Sequence, residues 1–251
     1  MVTLAPEFAL YVLAGFVAQL IDGALGMAYG VTASSLLMSF GLPPAAASAT
    51  VHAAECFTTG ASALSHHAFG NVHAPLFKKL LLPGVLGAVL GAYLLSNFPG
   101  DALRPYVSGY LLLMGLVIVV KAFRPFPPRE VTSHLIPLGF VGAFLDAVGG
   151  GGWGPIVASN LIARGNDVRK TVGSVNAAEF FVTVAASVTF FLTIGLTNWQ
   201  MIVALALGGL PAAPFAAWAC KHLPLRRMMT CVGMLVIATS TRTLLKYFGA
   251  I

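Results

Sequence analysis

Charge is what this 251-residue chain has least of: 8 acidic and 14 basic residues make up 9% of it. A soluble domain carries roughly 25%. With 58% hydrophobic residues and a mean hydropathy of +0.88, the chain lacks the polar surface needed to fold in water. Cysteine is scarce as well. Cys56, Cys220 and Cys231 are odd in number, unpaired in spacing and set within apolar runs. That excludes a disulfide framework or a zinc site and predicts small buried hydrophobes. There is no GxxxxGK[ST] phosphate loop, no zinc-finger or RNA-binding signature and no interleaving of arginine with aromatics. The net charge of +6 and pI of about 9.5 therefore do not mark a nucleic-acid binder. The basic residues sit mostly in short connections between apolar runs, as membrane topology alone would produce. The start, MVTLAPEFALYVLAGF, lacks the positive n-region of a secretory signal and reads as the first mature segment.

What is present is apolar length. Runs of about 20 residues recur at roughly 75–96, 103–121, 171–194, 200–220 and 228–247, each enough to cross a ~30 Å hydrocarbon layer. The expected class is an all-α polytopic membrane protein. An internal repeat organises it: shifted by 124 residues, Phe16–Thr59 aligns with Phe140–Thr183 without a gap, giving 14 identities in 44 positions. A one-residue insertion carries the match on, pairing Gly70 with Gly195, Gly84 with Gly209, Pro99 with Pro224 and Lys121 with Lys246. The halves are expected at 1–123 and 134–251, joined by a cytoplasmic linker at 124–133 within the proline-rich KAFRPFPPREVTS, and together form one transmembrane domain.

Corresponding loops carry opposite charge. Gly41–Ala45 has none where its partner has Arg164, Arg169 and Lys170, whereas Lys78 and Lys79 face a neutral partner at Gly195–Trp199. Mirrored charge predicts two inverted-topology repeats. Inversion requires an odd number of crossings per half, so residues 7–40 enter and leave on one side. Each repeat is then a broken or re-entrant helix pair followed by three transmembrane helices. With both termini extracytoplasmic, 11 of the 14 basic residues lie in the cytoplasm and only Arg104, Arg242 and Lys246 lie outside.

The breaks carry the chemistry. DGALGMAYG at Asp22–Gly30 and DAVGGGGWGP at Asp146–Pro155 cannot be continuous helix, since each glycine costs about 1 kcal/mol there and the proline suits a helix start. Irregular backbone at membrane depth is buried in protein or lines a polar cavity. The breaks are therefore expected to face each other around a central substrate site bounded by Gly26, Tyr29, Gly30, Gly150, Gly151, Gly152, Trp153 and Gly154. Helices restarting there would aim amide hydrogens at the site and favour an anion. Close helix packing is the alternative role for the glycines, and interhelical packing for Tyr29 and Trp153.

Ser48, His52, Glu55, Thr59, Ser62 and His66 follow on one helix face, and the second half keeps Asn176, Glu179 and Thr183. Asp22, Glu55, Asp146 and Glu179 fall at membrane depth in symmetric pairs, where unpaired charge costs at least ~2.5 kcal/mol. They are either site or proton-carrying carboxyls, or structural groups, the aspartates as caps of broken helix ends. His52 and its counterpart Asn176 share a hydrogen-bond donor at the substrate site; His52 could also relay protons. His66, His67 and His73 are expected in a solvated cytoplasmic loop without metal-ligand spacing. Gly87, Gly91, Gly208 and Gly209 read as helix contacts. No nucleophile motif accompanies His52 and Glu55, so no catalytic residue, metal or cofactor is expected. An anion channel using the same helix ends, or a cation or metal transporter using the four carboxylates, are the competing functions.

GALGMAYGVTASSLL, ATVHAAECFTTG and ALSHHAFGNV in the first half, with GGGGWGPIVASNL and VGSVNAAEFFVT in the second, resemble the sulfite exporter TauE/SafE family over essentially the whole chain. The resemblance implies a transporter of the bacterial cell (inner) membrane that exports sulfite or small organosulfur anions such as sulfonates, among membrane lipids and with inverted repeats. Alternating access around a midplane site is the mechanism expected of such repeats. An anion leaving a negative interior gains roughly 2.3 kcal/mol per charge per 100 mV, so export needs no ATP, and protons carried by Glu55 or Glu179 would couple to it. The first break, with Gly23, Gly26 and Gly30, is less glycine-rich than the second, a departure from strict equivalence of the half-sites.

Overall fold

The computed structural model describes residues 7–124, 133–164, 166–195, 198–219 and 225–250. The first half contains α1 (Phe8–Leu25), α2 (Tyr29–Ser39), α3 (Pro44–Ala68), α4 (Ala74–Asn97) and α5 (Gly100–Phe123). The second contains α6 (Leu135–Gly149), a π turn (Gly154–Ala158) running into α7 (Ser159–Ala163), α8 (Val168–Ile194), α9 (Trp199–Ala219) and α10 (Leu225–Tyr247). The two halves thus repeat one order of elements. Most of the expected linker (125–132) lies outside the described residues, as do Cys220, Lys221 and both chain ends.

Local chemistry explains the boundaries. Pro44 opens α3 behind an extended Pro43, where a missing amide hydrogen costs nothing. The Asp167 side chain caps α8 by accepting from the Lys170 amide at 2.9 Å. α1 and α6 both stop at a glycine in the left-handed region, Gly26 at φ 66° and Gly150 at φ 69°, whose amides bond the carbonyls of Asp22 and Asp146. The breaks are narrower than the sequence suggests: Asp22–Leu25 and Asp146–Gly149 remain helical, leaving only 26–28 and 150–152 irregular. Four-residue helix ends tolerate glycine because the preceding turn already holds them.

α4, α8, α9 and Ala102–Phe123 of α5 are long and apolar enough to cross a membrane. α3 is as long, at 25 residues, but its polar face lowers its hydropathy. Phe8–Ala24 and Leu135–Gly149 are shorter apolar helices. Exposed Leu82, Leu86, Phe191 and Leu192 give the helices an apolar exterior, as a bilayer requires. The chain is a multi-pass helical membrane protein.

Packing pairs equivalent elements with equivalent partners: α1 lies on α9 as α6 lies on α4, α3 contacts α9 as α8 contacts α4, and α3 meets α8 as α5 meets α10. α3 and α8 run antiparallel, since Cys56 bonds Ser187, Thr59 meets Thr183 and Ser62 bonds Asn176. The hydroxyls of Thr59 and Thr183, counterparts in the repeat, sit 3.4 Å apart. Gly87 and Gly91 let α4 press on the α6 backbone at Phe140 and Phe144, and Gly208 lets α9 press on Val12. Of the cysteines expected to be buried, Cys56 is half-buried and donates to Ser187, whereas Cys231 is exposed on α10. An apolar run on an outer helix buries one side in protein and turns the other to lipid.

Candidate functional site

The two breaks interlock. A Cβ on Gly30 would lie 2.7 Å from Gly151 Cα and 3.2 Å from both Gly150 O and Glu55 Oε1. A Cβ on Gly154 would strike Gly26 O and Met27 Cα, and one on Gly151 would strike Val31 N and Gly30 C. Gly30 and Gly154 are repeat counterparts, as are Gly26 and Gly150, so one contact is made twice. At the junction of the two breaks, backbone packs on backbone with no room for a side chain at these glycines. A cavity of about 820 Å³ lies elsewhere, on the apolar outer side of α3, α4 and α8 beside Phe57, Leu64 and Phe181.

The aspartates cap the restarted segments. Asp146 Oδ1 accepts the Trp153 amide at 3.0 Å, and its main-chain oxygen accepts from Gly151 at 2.9 Å. Asp22 takes the Tyr29 amide in the same way. Amides that the sequence assigned to an external anion are thus partly taken by the chain's own carboxyls. The second restart also departs from an α-helical start: it is a π turn containing Pro155, which has no amide hydrogen.

His52 ties α3 to the second break. Its Nδ1 lies 2.8 Å from Ser48 O and so carries a hydrogen; its Nε2 shares another with Asp146 Oδ2 at 3.1 Å. Ser48 Oγ donates to Ala147 O at 2.7 Å and Ser34 Oγ donates to Gly150 O. Asn176 does not play the matching part. Its amide folds back to Val172 O at 3.0 Å and its Oδ1 accepts from Ser62 at 2.9 Å, so the donor expected at both positions reaches the break only at His52. The imidazole spans a gap that the shorter amide does not.

Glu55 and Glu179 are 2% and 4% exposed, and each keeps one Oε2 without a hydrogen-bond partner among the described residues, as does Asp22 with its Oδ2. The four carboxyls are near enough to act on one another electrostatically. Tyr29 and Trp153 are buried and turn their donors away from the junction, to Leu205 O at 3.4 Å and Val175 O at 3.1 Å, which is interhelical packing. His67 and His73 are exposed, but His67 lies in α3 rather than in a loop, and so does His66. It is fully buried, donating from Nε2 to Gly23 O at 2.9 Å and accepting at Nδ1 from Asn71 at 3.1 Å. The last turn of α3 still lies inside the bundle against α1. Gln19, Ser34 and Asn71 also line this region and were missed; Gln19, three residues before Asp22, shares its helix face, which is the signal that could have found it.

Apolar spans packed around two interlocked helix breaks, with carboxyls buried at their junction, are the architecture of a membrane transporter. The chain belongs to the sulfite exporter TauE/SafE family, whose model matches residues 11–243. It is 44% identical to the "Probable membrane transporter protein YtnM" of Bacillus subtilis (strain 168) over 241 residues, 92% of this chain and 80% of that protein. It is 28% identical to the "Probable membrane transporter protein ORF9" of Sinorhizobium sp over 203 residues, 78% and 76% of the two chains. No solved structure matches it.

Proposed function

We propose that the protein exports sulfite or a small sulfonate-type anion across the bacterial inner membrane by alternating access, coupled to protons through its buried carboxyls. The observation that carries this reading is the doubled backbone contact between the breaks, Gly30 on Gly151 and Gly154 on Gly26–Met27. Rocking one repeat against the other would part these contacts and present peptide amides to an anion that the closed junction has no room for. The antiparallel run of α3 and α8 supports inverted repeats, and the mirrored loop charges support extracytoplasmic termini. An anion at the junction is repelled by each carboxyl that is ionised, so anion entry and protonation are linked.

A cation carrier is the second reading, favoured by the unpartnered oxygens of Asp22, Glu55 and Glu179. Purified protein in proteoliposomes separates the possibilities. Saturable sulfite counterflow, inhibited by a short aliphatic sulfonate, is the expected result. Conductance without counterflow would make the protein an anion channel, and counterflow of a divalent metal alone would make it a cation carrier.

A further inference from the structure

At four buried positions the first half is polar where the second is apolar. Gln19, Thr58, Ser62 and His66 of the first half correspond to Ala143, Val182, Ala186 and Phe190 of the second, and all eight are buried. The polar four lie together. A Cβ on Gly23 would be 3.4 Å from Gln19 Nε2 and 3.6 Å from Ser62 Oγ, and the carbonyl of that same glycine accepts from His66. Gly209 brings α9 against both Thr58 and Gln19. Gln19 is 0% exposed, yet neither atom of its amide has a hydrogen-bond partner among the described residues. Buried amides are rarely left so, and in a site lined by hydroxyl, imidazole and carbonyl groups the natural partner is water.

These groups form a file with a beginning and an end. At mid-depth Glu55 keeps Oε2 unpartnered, and one turn on the Thr59 hydroxyl, which donates to the Glu55 main-chain carbonyl, lies 3.4 Å from that of Thr183. Toward the α3–α4 connection, His66 bonds Asn71, which is 7% exposed and lies two residues from exposed His73. From Glu55 to His66, 11 residues of α3 rise about 16 Å, close to half of a ~30 Å hydrocarbon layer. Along α8 toward the opposite face, the same interval from Glu179 meets Val182, Ala186 and Phe190, and Phe190 packs against His52.

We infer that the first half contains a hydrated, one-sided proton path from the buried carboxyls to the face carrying the α3–α4 connection, with His66 as its relay. The inference rests on the proton-coupled reading above. Among the described residues the groups bonded to His66 are neutral, the Gly23 carbonyl of α1 and the Asn71 amide. A proton taken up at Nδ1, as Asn71 swings aside, makes an imidazolium. Release of the Nε2 hydrogen to water beside Ser62 and Gln19 returns a neutral ring in the other tautomer, and rotation of the ring restores the starting arrangement.

Two measurements test this on the full chain. Ser62→Cys and Ala186→Cys place thiols at counterpart positions; in sealed vesicles a membrane-impermeant methanethiosulfonate, scored against wild type for its native cysteines, should label Ser62→Cys at least tenfold faster and only from the α3–α4 face. Equal labelling, or labelling of Ala186→Cys alone, overturns the path, and this result needs no transported substrate. In proteoliposomes His66→Gln keeps a donor for Gly23 O but cannot relay; sulfite-driven proton movement should fall at least tenfold while sulfite counterflow stays within twofold. Undiminished proton movement in His66→Gln, or none in a wild type that shows counterflow, overturns the relay. Absence of counterflow in the wild type would refute the export reading, leaving thiol labelling to decide the path.

Discussion

Replacing Gly151 by alanine probes the contact on which the architecture turns. Gly151 sits at φ 154°, where an L side chain is strained by about 1–3 kcal/mol. Its new Cβ would also overlap Val31 N and Gly30 C, with Val31 Cα at 2.8 Å. These are backbone atoms and cannot swing away like a side chain, so overpacking adds about 1–3 kcal/mol. The sum, roughly 2–6 kcal/mol, lowers Tm by about 4–24 °C at the ~2–4 °C per kcal/mol typical of domains this size. Gly109 is the control: it lies within α5 with nothing within 4 Å of a Cβ, so Gly109→Ala should leave Tm unchanged or raise it through a gain of up to ~1 kcal/mol in helix propensity. Thermal unfolding in detergent, read by intrinsic fluorescence, measures both. A Gly151→Ala protein melting within 1 °C (about the precision of such melts) of wild type would show that the breaks do not rest on each other.

Ala28 holds φ 97° where its counterpart is Gly152, so Ala28→Gly should relieve about 1–2 kcal/mol of strain, less some backbone entropy, and raise Tm; a fall in Tm would refute the strain. Asp146→Ala strips the partner from two buried groups, the Trp153 amide and His52 Nε2, at about 1–3 kcal/mol each, whereas Asp22→Ala strips that of the Tyr29 amide; equal melting losses would contradict the asymmetry. Glu55→Gln and Glu179→Gln should each flatten the pH dependence of sulfite counterflow. If both variants keep transport and its pH profile, the carboxyls do not carry protons.

Much of the architecture was legible along the chain, because the signals are local. Span lengths, loop charges and the helix stops at Gly26 and Gly150 each depend on residues close along the chain, and the repeat needs only the sequence laid on itself. Which of the candidate side chains meet was not legible. His52 meets Asp146 across 94 residues, and Asn176, its aligned counterpart, turns to Ser62 instead. His66 looked like a loop residue because two exposed histidines follow it, and only the 43-residue contact with Gly23 draws it inside.

By itself, then, the sequence determined that this is a duplicated, multi-pass helical membrane protein with a glycine break and an acid-bearing helix in each half, since helix propensity and apolar length act over neighbouring residues. The tertiary structure decided that the breaks close on each other backbone to backbone, that the aspartates cap them, and that Gln19, Ser62 and His66 gather around Gly23. Those outcomes depend on which distant surfaces come within a hydrogen bond or a van der Waals radius, and packing of α1, α3, α8 and α9 sets that distance.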